Sequence, residues 1–176
     1  MMNIYPRYYR YIHWLMAALM ISQVVMGFLL ADLPRSWKGF AYNSHKIMGL
    51  LLLLLFISRV AIRFRFRGLW PKPFSTVRWQ RILSIIVHHL MYLMMLIIPL
   101  SGYFMSEFAE RAPKLFSFKL SLGLVPSKFA VEVFRFIHNN GVILFAGLII
   151  LHILAVLVHH FYWKDRLVRR MWAESK

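Results

Sequence analysis

The sequence contains no cysteine, and this absence excludes several kinds of redox site. Disulfides, thiolate-ligated haem, iron–sulfur clusters and thiol chemistry all require cysteine sulfur. Eight histidines are then the strong metal ligands that the chain has left. Any bound metal or haem iron is therefore expected to be held through imidazole nitrogen.

Acidic residues are also scarce, since six Asp and Glu stand against 22 Lys and Arg and leave a net charge of +16. On a soluble protein such an excess would suggest a nucleic-acid partner. Here the cations collect in the gaps between long apolar runs, where they anchor helix ends at lipid headgroups. The charge therefore indicates a lipid bilayer as the partner, and no nucleic-acid binding is expected.

Hydrophobic residues make up 60% of the 176 residues and aromatic residues 16%, far from the balance of a soluble domain. About 20 apolar residues are needed to cross the hydrocarbon core of a bilayer. Four runs reach or approach that length, at about 13–31, 45–62, 82–105 and 138–163. The sequence thus predicts an all-α integral membrane protein, a four-transmembrane-helix bundle in which residues 1–176 form a single membrane domain.

The distribution of charge predicts the orientation of the four spans. Four spans place both termini and the connection near 63–81 on one side, and this side holds 14 of the 22 cations. The opposite side, which includes the connections near 32–44 and 106–137, holds the other 8 cations together with 4 of the 6 acidic residues. By the positive-inside rule, both termini are expected to be cytoplasmic.

Two histidines of the fourth span are spaced so that they share one helix face. Ionisable side chains inside a span are costly and usually functional. His138 and His152 are fourteen residues apart, which is about 40° short of four full turns and about 21 Å along the axis. Such a face suits two haems stacked across the bilayer, each of which needs a second axial nitrogen from another helix.

The depths of the remaining histidines in the membrane indicate which of them supply the second axial nitrogen of each haem. His45 begins the second span on the side where His138 begins the fourth, and His13 begins the first span on the side nearer His152. The sequence therefore predicts two haem irons, one held by His45 with His138 and one by His13 with His152. The alternative is four unrelated polar contacts between helices.

The other histidines lie close to these predicted sites. His159 follows His152 by seven residues on nearly the same face, but at the water boundary, so it is expected to support a ligand or to contact a quinone. His88 and His89 are level with the inner haem. They either donate to a propionate or a quinone carbonyl or make polar contacts between helices. No role is predicted for His160.

Four cations near the predicted haems have two interpretations each. Arg59 lies fourteen residues after His45 on the same face and Arg63 one turn further, so both are candidates to pair with haem propionates. They equally satisfy the positive-inside bias alone. Lys46 and Arg135 lie beside the outer histidines and are expected to steer a small anionic electron donor, the alternative being contact with lipid phosphate.

The order of these residues resembles the bacterial cytochrome b561 family over nearly the whole chain. The resemblance rests on Ile12-His13-Trp14, His45, Arg59 with Arg63, the run from His88 through Tyr92 to Pro99, the His138 and His152 pair, and the closing His159-His160-Phe161-Tyr162-Trp163. It implies a bacterial inner-membrane protein with two haem b groups, held by His13 with His152 and by His45 with His138. It also implies a superoxide:ubiquinone oxidoreductase, here expected as a monomer or homodimer.

Two other functions share part of this pattern. A haem-bearing subunit that relays electrons for a hydrogenase or a formate dehydrogenase would have the same pair of sites and would need a periplasmic catalytic partner. A small proton-coupled transporter would use its histidines to bind protons, and its purified form would show no reduced haem band in visible light.

Overall fold

The chain folds into four long helices and one short hairpin. The computed structural model describes residues 5–66, 77–164 and 171–172. In chain order the elements are α1 (Arg7–Leu29), α2 (Arg35–Arg65), α3 (Arg78–Phe108), β1 (Lys114–Leu115), β2 (Phe118–Lys119) and α4 (Lys128–Phe161). The prediction of an all-α membrane protein with four spans is confirmed. Six of the cations used for the orientation lie outside the described residues: Arg67, Lys72, Arg166, Arg169, Arg170 and Lys176.

Each helix is long and apolar enough to cross a membrane. The helices have 23, 31, 31 and 34 residues, and the most apolar windows have mean hydropathies of 1.8, 2.2, 2.1 and 2.9. At most 22% of such a window is buried inside the bundle, so most apolar side chains face outward. In water this surface would be unfavourable, whereas in a bilayer the lipid tails cover it and the helices satisfy their own backbone hydrogen bonds.

All four helices begin before the predicted spans, because apolar runs mark only the part of a helix that lies in hydrocarbon, whereas α1 and α4 end slightly before theirs. α2 begins at Arg35, where 45 was predicted, and α4 begins at Lys128, where 138 was predicted. Pro34, which has no amide hydrogen, precedes α2. The hydroxyl of Ser127 accepts a hydrogen bond from the backbone N–H of Ala130 (3.2 Å) and caps α4.

Aromatic contacts at the helix ends show that α1 runs antiparallel to α2, and α3 to α4. Tyr8 at the start of α1 lies 6.1 Å, between ring centroids, from Phe66 just after α2. Phe104 near the end of α3 stacks on Phe134 near the start of α4 at 5.3 Å. α3 packs most extensively against α4, and α2 contacts both α1 and α3.

Two apolar clusters hold the helices together. The first consists of buried residues of α3 and α4, and the second of buried residues of α1 and α2. Their members are Val87, Met91, Met94, Phe145 and Leu148 in the first, and Met16, Leu53 and Phe56 in the second. Because lipid tails are as apolar as these side chains, the clusters stabilise the bundle mainly by close van der Waals packing.

A buried carboxylate fixes the connection between α3 and α4. Glu107, in the last turn of α3, is 3% exposed. Its Oε1 accepts hydrogen bonds from the hydroxyl of Ser121 (2.7 Å) and from the backbone N–H groups of Leu122 (2.9 Å), Gly123 (2.9 Å) and Leu124 (3.3 Å). The segment that follows the hairpin is thereby tied to the end of α3.

The same connection is also tied to α2 on the far side. The Asn43 side-chain N–H donates to the Lys114 carbonyl, and the Lys114 backbone N–H donates to the Asn43 Oδ1, both at 2.8 Å. The Lys46 ammonium donates to the Arg111 carbonyl at 2.6 Å. The connection, predicted only as a loop, therefore includes a hairpin that crosses the end of the bundle near His45 and His138.

Candidate functional site

Two histidines from different helices face each other near the hairpin. The ring centroids of His45 in α2 and His138 in α4 are 6.4 Å apart, with ring planes at 83°. A metal–imidazole bond of about 2 Å on each side, plus about 1 Å from each nitrogen to its ring centroid, gives about 6 Å for two ligands on opposite faces of one metal. The pair therefore fits a shared axial site. We call its level the outer level, after the predicted orientation.

The imidazole of His138 is held by the backbone of α3. Its Nδ1 lies 2.9 Å from the Ile98 carbonyl and 3.4 Å from the Ser101 hydroxyl. Since a carbonyl only accepts, Nδ1 carries the proton and donates, which leaves the lone pair of Nε2 free. Metal-ligating histidines usually have their second nitrogen fixed in this way. Gly102 makes the approach possible, because a Cβ there would be 2.9 Å from Cε1 of His138.

His45 differs from His138 in its hydrogen bonding. Its Nδ1 is buried and has no hydrogen-bond partner among the residues that the structure describes. A buried polar atom without a partner is unfavourable unless a ligand or water satisfies it. Its carbonyl accepts a hydrogen bond from Gln23 at 3.1 Å, and a Cβ at Gly27 would be 3.4 Å from its Cε1. The ring thus lies between α1 and the cavity.

A large open cavity lies beside the outer pair. It measures ≈ 1290 Å³, and both His45 and His138 line it. Gly49 also lines the cavity, and a side chain there would meet nothing within 4 Å. The cations around the cavity are Lys46, Arg111, Lys114, Lys119 and Arg135. The space suits a flat macrocycle, and these five cations outnumber the one carboxylate that lines it, Glu110.

The two predicted steering residues both line this cavity, but their surroundings differ. The Lys46 ammonium donates a hydrogen bond to a carbonyl. Because a carbonyl is neutral, this contact does not cancel the positive charge of Lys46. Arg135 forms an exposed ion pair with Glu132, with Nη1 2.6 Å from Oε1. Lys46 therefore contributes more net positive charge than Arg135 does.

The second group of histidines lies at the other end of the bundle, at what we call the inner level. The rings of His88 in α3 and His152 in α4 are in edge contact, with centroids 5.3 Å apart. His13 in α1 is close enough to both to interact electrostatically. His88 thus joins the two residues that were predicted as ligands at this level. The Nδ1 of His88 donates to the Ser84 carbonyl at 2.6 Å, so its Nε2 is also free.

A buried arginine adjoins the inner histidines. Arg59 is 8% exposed, and its guanidinium carbon lies 4.1 Å from the ring centroid of Tyr9. Its Nη1 has no hydrogen-bond partner in the described part of the chain. Arg63 is exposed and hydrogen bonds to Tyr9, which also hydrogen bonds to Tyr92. Arg59 is therefore the better placed of the two predicted propionate partners.

The remaining histidines lie outside these groups. His159 contacts Trp163, with ring centroids 4.6 Å apart. His89 is exposed on the helix surface and its Nδ1 donates to the Ile85 carbonyl at 2.7 Å. His160 is exposed and contacts Phe161. His89 and His160 are therefore surface residues, and His159 adjoins Trp163 just after α4.

Several residues of the site were missing from the sequence interpretation. Gly27 and Gly102 lie against the outer imidazoles, and Tyr9 lies beneath Arg59. Tyr9 precedes His13 by four residues, a helical spacing that places both on one face and that could have identified it. Gly102 gave no such signal, because its contact depends on how α3 packs against α4.

Within the described residues, no group of three or more His, Asp or Glu side chains is arranged to hold a metal ion by itself. A porphyrin brings four of its own nitrogens and asks the protein for two axial ligands. Facing pairs of histidines therefore fit a haem better than they fit a bare metal ion.

Fold and site together define a four-span membrane bundle with histidines facing each other at two levels of its interior. A family model described as prokaryotic cytochrome b561 matches residues 4–174, so the chain belongs to the prokaryotic cytochrome b561 family. It is 23% identical over 179 residues to cytochrome b561 homolog 1 of Escherichia coli strain K12, covering 99% of this chain and 100% of the relative. It is 26% identical over 166 residues to cytochrome b561 homolog 2 of the same organism, covering 93% and 88%.

Family membership establishes the general role of the chain. It is a multi-pass protein of the bacterial inner membrane that transfers electrons and uses b-type haem. The resemblance noted from the sequence motifs is thereby confirmed.

Proposed function

We propose that the chain is a dihaem b-type cytochrome that carries electrons across the inner membrane from a periplasmic donor, with superoxide as the candidate, to ubiquinone. The observation that carries the proposal is the separation of 6.4 Å between the His45 and His138 rings, which face each other beside a cavity of ≈ 1290 Å³. Family membership supports the haem type, and the resemblance supports the donor and the acceptor.

The four ligands are proposed as two pairs. His45 and His138 would hold the outer haem, and His13 and His152 the inner one. The His88 and His152 rings, with centroids 5.3 Å apart, are too close to lie on opposite faces of one metal, which needs about 6 Å. His88 is therefore assigned to contact His152 and not to replace His13.

A bound haem supplies a one-electron Fe(III)/Fe(II) couple. Two histidines per haem would leave no place for oxygen to bind the iron, which would suit outer-sphere electron transfer. The Ile98 carbonyl fixes the proton of His138 on Nδ1 and orients the ring. Arg59, and Arg63 at the surface, would bind the negatively charged propionates of the inner haem.

The donor and the acceptor are assigned to opposite ends of the bundle. Lys46 and Arg135, with the other cations around the outer cavity, would attract a small anionic donor. At the inner end, His159 beside Trp163 and His88 beside His152 are the candidates to contact the quinone. The excess of cations near the inner end supports an arrangement with both termini in the cytoplasm.

The haem assignment is tested by counting haems in histidine variants. The purified protein should bind two haems per chain, measured from the absorbance of the pyridine complex. His13→Ala, His45→Ala, His138→Ala and His152→Ala should each reduce the number to one. His89→Ala and His160→Ala, which change exposed histidines, should leave two. A protein without haem, or a His45→Ala variant that keeps both haems, would refute the proposal.

The donor and the acceptor need a separate measurement. Two superoxide ions give up one electron each and leave as O₂, while ubiquinone takes up those two electrons and two protons to become ubiquinol. Superoxide generated enzymatically should therefore yield ubiquinol in proteoliposomes that contain the protein and not in empty ones. Two haems without ubiquinol formation would refute this pair of substrates and leave the electron-transfer role intact.

A further inference from the structure

Residues at the two histidine levels and between them repeat at intervals of seven in all four helices, and His88 alone among them is exposed. Seven residues turn a helix to within about 20° of two full turns and advance it about 10 Å, so they stack on one line. From the outer to the inner level, these lines are Gly27, Met20 and His13 in α1; His45, Leu52 and Arg59 in α2; Gly102, Met95 and His88 in α3; and His138, Phe145 and His152 in α4. The bundle interior therefore has three layers.

The middle layer is apolar, whereas the layers on either side carry the histidines. Phe145 is 4% exposed and Leu52 is 8% exposed. Met20 and Met95 pack against the cluster that contains Phe145. No side chain of this layer offers a strong hydrogen bond, so water gains little by entering it. The two levels of histidines are thus separated by a closely packed apolar layer.

Phe145 has a special position within this layer. It lies on α4 seven residues from His138 and seven from His152, on the same face as both. Its side chain is the one aromatic ring among the four middle-layer residues. The direct path between the proposed outer and inner ligands of α4 therefore passes the Phe145 ring.

We propose that Phe145 is the side chain that bridges the two haem sites for electrons and closes the middle layer to water. The inference rests on the proposed dihaem function. With haem bound at both levels, a ferrous outer haem would give one electron to a ferric inner haem. One electron moves, no bond breaks, and Phe145 neither gains nor loses a proton. The Phe145 ring fills the space between the two histidine levels with atoms in van der Waals contact. A void in its place would offer no such contacts.

The test compares Phe145→Ala with Phe145→Leu and with Leu148→Ala. The Leu variant keeps most of the volume and removes the ring. Leu148 is 7% exposed and belongs to the same cluster, but lies off the line of the ligands, so its variant controls for a loosened core. Each full-length protein, with its haems, is placed in vesicles loaded with ferricyanide. Dithionite outside the vesicles supplies electrons. Both reagents are used at concentrations high enough that the electron flux no longer depends on them.

Three quantities are measured in each sample: haems per chain, ferricyanide reduction, and the passive proton leak before dithionite is added. Phe145→Ala should keep two haems, pass electrons several-fold more slowly and leak protons faster. Phe145→Leu should have an electron flux between those of Phe145→Ala and the unmodified protein, with little proton leak. Leu148→Ala should resemble the unmodified protein in both quantities. Unchanged flux and leak in a Phe145→Ala protein with two haems would overturn this inference alone. Unmodified protein without haem would overturn the proposed function, and this inference with it.

Discussion

Gly102 of α3 lies directly against the imidazole of His138 of α4. A Cβ at Gly102 would be 2.9 Å from Cε1 of that ring, closer than real Cβ atoms approach other atoms, and 3.0 Å from Nδ1. The hydrogen bond from Nδ1 to the Ile98 carbonyl, 2.9 Å long, holds the ring against the same stretch of α3. His138 can occupy this position because residue 102 has no side chain.

Gly102→Ala should therefore displace the His138 ring and disturb the outer haem selectively. We expect haem content to fall from two per chain toward one, or the electron paramagnetic resonance signal of the outer haem to change while the inner signal stays. Gly147→Ala is the matched control, because a Cβ there meets nothing within 4 Å. Two haems with unaltered signals in Gly102→Ala would show that the ring has room to move.

His88→Ala should keep both haems. The His88 and His152 rings are in edge contact at 5.3 Å, which is about 1 Å too short for two ligands on opposite faces of one metal. We expect the haem count to stay at two, with a shift in the inner haem signal because His152 loses a neighbour. His89→Ala, at an exposed position, should shift neither signal. If His88→Ala lost one haem as completely as His152→Ala, His88 would be the ligand in place of His13.

The sequence was sufficient to predict the four spans and the levels of the histidines, because both depend on spacing along a single helix. The fourteen residues between His138 and His152 place them on one face, and the structure brings His138 to His45 and His152 close to His13. Their role as haem ligands remains a prediction.

Contacts between helices were beyond what the sequence alone could give. Neither the fit of His138 against Gly102 nor the contact of Arg59 with Tyr9 follows from periodicity, since each depends on how two helices are rotated against each other. The hairpin was missed for another reason. Its strands have two residues each, too few for an alternating pattern, and side chains outside the hairpin hold the connection in place.

Arg59→Gln should lower the midpoint potential of the inner haem. A buried guanidinium favours Fe(II) over Fe(III), because the reduced site carries one positive charge less. Removing that charge should lower the potential by an amount on the order of tens of millivolts, given the weak screening inside the bundle. Arg63→Gln, at an exposed position, should have a smaller effect. Redox titration of both variants measures this, and equal potentials in Arg59→Gln and the unmodified protein would contradict it.

Glu107→Ala should destabilise the connection that covers the outer cavity. One carboxylate oxygen accepts four hydrogen bonds from residues 121–124. Hydrogen bonds to a charged group contribute roughly 1.5–3 kcal/mol each, and water will replace part of them, so we expect a loss of about 3 kcal/mol. A lower melting temperature and faster proteolysis within 110–127 are the measurements. Glu132→Gln breaks only an exposed ion pair and should cost less than about 1 kcal/mol.

Neutralising Lys46 should slow reduction by an anionic donor and flatten the dependence of that rate on salt. Charges around a cavity raise the local concentration of an oppositely charged ligand, and salt screens this attraction over about 10 Å at 0.1 M.

Arg135→Gln should act in the same direction, because it leaves Glu132 unpaired. The double variant Glu132→Gln with Arg135→Gln keeps the net charge and should behave like the unmodified protein. The rate of reduction by an uncharged donor should be the same in all of these variants. Equal rates and equal salt dependence for Lys46→Gln and the unmodified protein would mean that the cations of the outer cavity contact lipid phosphate and do not guide the donor.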